Sequence, residues 1–266
     1  EPNPFHNFAH AVDVEYAVRY QMAAIHAGTF LSDVQQFWLL VASIGHDLGH
    51  LGVNNQFLLE TTHELAVRYN DRSPLENMHC ARLFRITSES ESNIFSQVEP
   101  ELYKEIRKGI IHAILHTDVV KHNDMVRELG MLYQMNQEAF DKLDPVDTIL
   151  QSQNTIQLII CMLLHGADVG NLSKPWDLCQ RYAHLCLDEF FAQGDAEKEK
   201  GVAVQTLCDR DKVSRPNSQI GFIEFIIAPL VIAEVNLFPQ LHRLAHHLGQ
   251  NLQRWTALWE EEDAPA

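Results

Sequence analysis

Apolar residues recur along this chain at the three- and four-residue intervals of helices, and stretches that alternate as strands do are missing. Phe37, Leu40, Val41 and Ile44 keep the i, i+3, i+4, i+7 spacing and predict a helix that buries this face, with Ser32 and Gln35 ahead of it as a capping box. Ser73-Pro74-Leu75-Glu76 predicts a second helix start: a capping serine, proline at the first helical position and glutamate at the third. Asp144-Pro145 predicts another. Residues 155–165 (TIQLIICMLLH) are apolar nearly all round, as a helix enclosed by others must be. Residues 219–238 predict a long helical stretch interrupted or bent at Pro229. The polar segment Asp209 to Ser218, which contains Pro216, predicts a mobile loop. The closing EEEDAPA predicts a solvated tail. With no Asn-Gly turns and no internal repeat, the expected fold class is all-α, a compact multi-helix bundle.

Composition narrows the picture. The chain has 266 residues, 46% of them hydrophobic, and no Gly/Ser- or Pro-rich linker divides it. One domain with a sizeable core is expected, occupying residues 1–258, with an acidic tail over 259–266. The formal net charge of -16, from 36 acidic and 20 basic residues, argues against nucleic acid or an anionic membrane as a partner. An acidic protein that handles a phosphate must supply positive charge locally, and bound divalent metals would do so. The longest apolar runs, Phe225 to Ala233 and Leu158 to Leu164, are too short to span a bilayer. Cys80, Cys161, Cys179, Cys186 and Cys208 show no CxxC spacing and are odd in number, which predicts inert thiols in a reducing, cytoplasmic compartment. The chain starts at Glu1 without an initiator methionine and is read as a fragment or an excised catalytic region.

The candidate chemistry lies in three short motifs. HNFAH holds His6 and His10 at i, i+4 spacing. GHDLGH holds adjacent His46 and Asp47, with His50 one helical turn after His46. LHGAD brings His165 and Asp168 to the end of the apolar helix, where a charge is rarely without a partner. Two imidazoles and two carboxylates drawn from separate segments, His10, His46, Asp47 and Asp168, form a nitrogen and oxygen donor set suited to hydrolytic chemistry rather than redox work. His165 reads equally well as a core histidine. His112, His116 and His122 read as helix-surface histidines or supports of the site.

HNFAHAVDV at 6–14, HDLGHLGVNNQF at 46–57, ELAVRYNDRSPLENMH at 64–79, HTD at 116–118, HGADVGN at 165–171, EFFAQGD at 189–195 and SQIGFIE at 218–224 occur in one order and at consistent separations. From Phe5 to about Trp255 the chain resembles the catalytic domain of class I cyclic nucleotide phosphodiesterases of the HD superfamily. The resemblance implies an all-helical fold with a two-metal site, usually zinc with magnesium or manganese. His10, His46, Asp47 and Asp168 would hold the zinc, with Asp47 bridging to the second metal. His50, Glu76 and Thr117 would orient the waters of that metal, and His79 and Asp118 would support the same polar network; a helix-capping role competes for Glu76. The implied reaction is hydrolysis of cAMP, cGMP or both to the 5′-monophosphate by a hydroxide held between the metals, with His6 as the general acid. Gln219 would hydrogen-bond the purine, Phe222 would stack on it, and Asn171 would line its pocket. Cys186 stands where the family usually sets a branched aliphatic residue opposite the phenylalanine, Phe5 where many members have tyrosine, and Leu172 where proline is common. The helices that normally precede Phe5 are absent from the chain. The alternatives are another HD-type metal-dependent nucleotide phosphohydrolase and a sensor that binds cyclic nucleotide without turning it over. A homodimer through this region or others is compatible with the sequence.

Overall fold

In the computed structural model, residues 3–142 and 149–262 are described. Within them the chain is helical with no strand. The first five helices are α1 (Phe8–Ala24), α2 (Asp33–Gly45), α3 (Asn55–Glu60), α4 (Glu64–Tyr69) and α5 (Pro74–Ile86). Then come α6 (Pro100–Leu115), α7 (His122–Met135), α8 (Gln137–Asp141) and α9 (Gln153–Asp168). The chain closes with α10 (Trp176–Lys200), α11 (Arg215–Phe222), α12 (Ala228–Leu237) and α13 (His242–Glu262). The all-α reading therefore holds. The helix start expected at Asp144-Pro145 lies outside the described residues, as do residues 263–266 of the acidic tail. The part of that tail from Trp259 to Glu262 continues α13 as exposed helix.

Helix α9 is the axis of the fold. Ile159, Ile160, Cys161, Met162, Leu163 and Leu164 are all buried, and α1, α2, α6, α7 and α12 pack around them. Burial of a Leu or Ile side chain is worth about 1.5–3 kcal/mol, so this one helix carries a large share of the core. A second cluster gathers Leu172, Cys179, Ala183, Ile223, Ile227 and Val231 about the buried Trp255. A third, smaller one lies beneath α3, α4 and α5.

The Ser32/Gln35 capping box is present in both directions. The buried face of α2 is not the expected one. Trp38, Leu39 and Ala42 enter the core, whereas Phe37 and Ile44 are exposed and Leu40 and Val41 half-buried. Five consecutive apolar residues from Phe37 to Val41 fit two helical phases, and packing against α1 and α6 selects the other one. Helix α5 starts where Ser73-Pro74 predicted, but Ser73 does not cap it. Ser73 sits in the left-handed region (φ 45°) and its hydroxyl donates to Asp118 at 2.6 Å. Asn55 takes over the cap, accepting from the Leu75 amide at 3.0 Å.

The bend expected near Pro229 is a wide turn over Ile223–Ile227 that joins α11 to α12. Proline cannot donate to the preceding turn, so the helix widens before it. The carbonyl of Ile226, in the same turn, accepts from His122 at 3.1 Å. Pro216 lies in the first turn of α11 rather than in a loop, and the loop is shorter than expected. Lys198 and Lys212 tie its Asp209 down at 3.1 and 2.8 Å. The helical stretch Arg215–Leu237 is long enough, and its most apolar 18 residues (mean hydropathy 2.0) apolar enough, to cross a bilayer by length and composition alone. It is longer than the apolar run read from the sequence because the polar start at Arg215 winds into the same helix. Here it contributes Ile223, Ile227, Leu230 and Val231 to the cores.

Glu234 on α12 is 1% exposed, and its Oε1 has no hydrogen-bond partner. It faces Gly166 of α9 so closely that a Cβ there would lie 2.0 Å from Oε1. Burial pushes this carboxyl up to about 8, above its ordinary 4.5. Folding therefore carries no ionisation penalty below pH 4.5, and stability declines as pH rises from there toward 8. Glu234→Gln is expected to stabilise the protein by about 3 kcal/mol at about pH 7 and to change little near pH 4. Thermal melts across pH check this; a variant no more stable than the parent at neutral pH would contradict it.

Candidate metal centre

Three chain segments deliver one ligand cluster. The first is the start of α1, where the Asn7 side chain accepts from the amides of Ala9 and His10 at 2.9 and 3.3 Å and caps the helix. His10 thus enters on the first turn, 3% exposed. His6 lies ahead of the helix rather than one turn back along it. The second segment is the end of α2. His46, fully buried, follows its last residue and donates from Nδ1 to the Ser43 carbonyl at 2.8 Å, which leaves Nε2 to face the cluster. The third is the end of α9, whose last residue is Asp168.

His10 Nε2 lies 3.0 Å from Asp168 Oδ1 and 3.4 Å from Asp47 Oδ2. His46 Nε2 lies 3.3 Å from each of the same two atoms. The ligand atoms of all four residues fall within 4.8 Å of one another. Asp47 Oδ2 is buried yet accepts no well-formed hydrogen bond. A buried carboxylate oxygen in that condition needs a positive partner, so the residues present fit a divalent cation. The protein meets part of the need with protons. Burial pulls the His10 imidazole down, but Asp168 and Asp47 outweigh it and raise it to about 9. His46 is likewise raised against its burial by Asp47 and Asp168. Both carboxyls are held below their usual range, against burial, by His46 and His10.

Asp47 turns its second oxygen the other way. Oδ1 lies 3.6 Å from His79 Nε2, and Asp47, His50 and His79 form a second group with ligand atoms in mutual reach. His50 does not continue α2. The chain leaves the helix at His46, and Gly49, at φ 75°, reverses it; a Cβ there would collide with the Arg82 guanidinium. The reversal stacks His50 on His6 with ring centres 4.0 Å apart and brings it beside His79. Burial, then His6, pushes His50 down to about 3, and burial also lowers His79.

Glu76 is buried and accepts from Asn55 Nδ2 at 2.9 and 3.2 Å; it takes no part in a capping box. Burial, then the Asp118 charge, raises it to about 7. Asp118 is buried and accepts from Ser73 and from the Val120 amide. The hydroxyl of Thr117 donates to the Ile114 carbonyl at 2.8 Å, leaving only its lone pairs free. His122 and His165 are core histidines, with His122 Nδ1 2.9 Å from His165 Nε2.

The residues expected around a base are distributed over the second core. Asn171 lies in the short turn Gly170–Ser173 after α9. Gln219 and Phe222 share α11, with Gln219 buried and its amide donating to Ser218 Oγ at 3.2 Å. Phe222 packs on the cluster that holds Leu172. Cys186 faces Glu189 and Asp168 from α10, and burial together with those charges pushes its thiol up to about 12. No hydrogen bond links Gln219 or Asn171 to the His/Asp cluster among the described residues.

Two residues escaped the sequence reading. Glu189, inside the EFFAQGD motif, accepts from the Phe5 and His6 amides, both at 3.0 Å, and its Oε1 pairs with His6 Nδ1. It stands 183 positions from His6, so no local pattern could join them. Asn251 on α13 donates to the carbonyls of Leu172 and Lys174, both at 2.7 Å, and pins the turn that carries Asn171.

A helical bundle that gathers two histidines and two aspartates from distant segments defines a metal-centred helical domain. The chain belongs to the 3'5'-cyclic nucleotide phosphodiesterase family, whose description matches residues 5–248. It is 35% identical over 263 residues to the human "High affinity cGMP-specific 3',5'-cyclic phosphodiesterase 9A", covering 98% of this chain and 42% of that protein. It is 34% identical to the human "High affinity cAMP-specific and IBMX-insensitive 3',5'-cyclic phosphodiesterase 8A", covering 97% and 32%. The chain thus spans less than half the length of these relatives. Among solved structures, the phosphodiesterase domain of a RhoPDE fusion protein from the choanoflagellate Salpingoeca rosetta superposes with TM-score 0.89 at 29% identity, covering 98% of this chain and 80% of that one.

The raised His10 imidazole implies a competition between proton and metal. Without metal, protonated His10 contributes stability that is complete below pH 6.5 and lost as pH rises to about 9. A bound cation replaces that proton. Calorimetric titration of zinc into metal-free protein at about pH 7, in two buffers of different ionisation enthalpy, is expected to show proton release. Uptake without release would contradict the protonation described.

Proposed function

We propose that this chain is the catalytic unit of a cyclic nucleotide phosphodiesterase that hydrolyses cAMP, cGMP or both to the 5′-monophosphate. The observation that carries the reading is the convergence of His10, His46, Asp47 and Asp168 around a buried carboxylate oxygen that accepts no well-formed hydrogen bond, with His6 beside them. In this reading those four residues hold zinc. Asp47, whose two oxygens serve two ligand groups, would also help to hold a second metal, magnesium or manganese. When bound, such cations polarise a phosphate and lower the pKa of coordinated water.

The chain's own groups do the rest. Glu189 engages His6 at Nδ1 and both flanking amides, which fixes the ring and leaves Nε2 as the atom that delivers a proton to the departing 3′-oxygen. His50 stacks on His6 and limits its swing. His50, His79, Glu76, Thr117 and Asp118 would order the polar side of a second metal, and burial, with the charge of Asp118, keeps Glu76 ready to exchange a proton near neutrality. Gln219 and Phe222 offer an amide and an aromatic face to the purine, with Asn171 and Cys186 as further walls.

Incubation with cAMP and cGMP in the presence of Mg²⁺ and Zn²⁺ is expected to release 5′-AMP or 5′-GMP. Binding without release would point to a sensor, and turnover confined to other nucleoside phosphates to another HD-type hydrolase; either result refutes the proposal. Asp168→Ala is expected to reduce turnover to background and to lower the bound zinc measured by elemental analysis. Normal turnover with normal zinc in that variant would defeat the ligand assignment. His6→Ala is expected to slow turnover about 10²–10⁴-fold with bound metal unchanged. Loss of metal instead would make His6 a ligand.

A further inference from the structure

We propose that His112, His116 and Cys161 form a second metal site, separate from the His/Asp centre, which takes a borderline-soft cation of the zinc class through two imidazoles and a thiolate. The three residues come from two packed helices. His112 lies in the last turn of α6, His116 immediately follows that helix, and Cys161 faces them from the middle of α9. Their ligand atoms lie within 4.8 Å of one another. The two histidines are spaced i, i+4, and their rings stack with centres 4.1 Å apart.

The surroundings suit a metal. His116 Nδ1 pairs with the His112 carbonyl at 2.7 Å, which fixes the ring and turns Nε2 outward, as the other nitrogen of a metal-bound histidine is commonly held. Among the described residues neither nitrogen of His112 has a hydrogen-bond partner. Burial lowers both imidazoles, His112 to about 4 with His116 as the next cause, so each carries a free lone pair at neutral pH. The side-chain amide of Gln157 approaches Cys161 Sγ at 3.8 Å, a donor directed at the sulfur as a thiolate requires. The carbonyl end of α6 turns its partial negative charge toward the same place. Lys121 opposes a cation here and Glu128 favours one, since both fields reach His116 and Cys161.

Cys161 is buried, and burial pushes its thiol up to about 12. It is therefore a thiol until a metal arrives. On binding, the S–H bond breaks, the proton passes to solvent and the sulfur–metal bond forms, with no change of oxidation state. His112 is exposed and marks the way in. Two imidazoles and one thiolate leave a fourth position for water, in the tetrahedral preference of zinc. A metal here would clamp α6, which leads into Thr117 and Asp118, to α9, which ends at Asp168.

Cobalt(II) is the probe, used on the whole chain. A cobalt–thiolate pair gives a near-ultraviolet charge-transfer band, and the His/Asp centre contains no sulfur to produce one. Wild type loaded with excess cobalt is expected to show the band, and Cys161→Ser to lack it. His112→Ala, a change at an exposed position that leaves the core intact, is expected to raise the cobalt concentration for half-saturation at least about tenfold. Asp168→Ala, in which the His/Asp centre is broken, is expected to keep the band. Absence of the band from cobalt-loaded wild type would overturn the site, as would a band in His112→Ala with unchanged half-saturation or its loss in Asp168→Ala.

Discussion

The repulsion between Asp47 and Asp168 and its compensation by positive charge set the terms for the rest of the molecule. Two carboxylates face two buried imidazoles in a corner where one carboxylate oxygen finds no hydrogen bond. Unpaired charge in such a place is expensive, so the fold is stable only with protons or a cation there. That requirement explains why the ends of α2 and α9 and the first turn of α1 must meet. It also explains why α9 is so apolar: only a helix anchored on all sides can hold Asp168 against its own electrostatics.

The N-terminal segment is fastened by a second carboxylate. Glu189 binds the Phe5 and His6 amides and the His6 ring, while Asn3 donates to the carbonyls of His6 and His50, both at 2.9 Å. Phe5 fills the space beneath, its ring 4.7 Å from that of His10. Residues 3–7, ahead of α1, are thereby ordered without belonging to a helix. His6, which precedes the cap at Asn7, can be placed against the metal corner independently of the α1 axis. The same logic holds at His50, where left-handed Gly49 replaces helical continuation.

Much of this was legible in the chain. The apolar run 155–165 announced a central helix, and the charge ending it announced a partner; both appear as α9 and Asp168. The Ser32/Gln35 box and the break before Pro229 depend on neighbours a few positions apart and were equally readable. Errors arose where local patterns fit two answers. Phe37 to Val41 is apolar in every helical phase, so only the neighbours could choose Trp38 and Leu39 for the core. Ser73 carries the features of a cap, yet a left-handed backbone and the Asp118 carboxylate draw its hydroxyl away. Glu189 and Asn251 act on segments far away in sequence, and their roles exist only after folding. Membership of the phosphodiesterase family was readable from seven ordered motifs because order and spacing survive where single residues are ambiguous.

The central claim is that His10, His46, Asp47 and Asp168 close round one cation. Crystals grown with zinc, with diffraction recorded on both sides of the zinc absorption edge, test it most directly. The account predicts an anomalous peak at the centre of the four side chains, about 2.0–2.2 Å from each ligand atom. A map without such a peak, in which these side chains point away from one another, would contradict it.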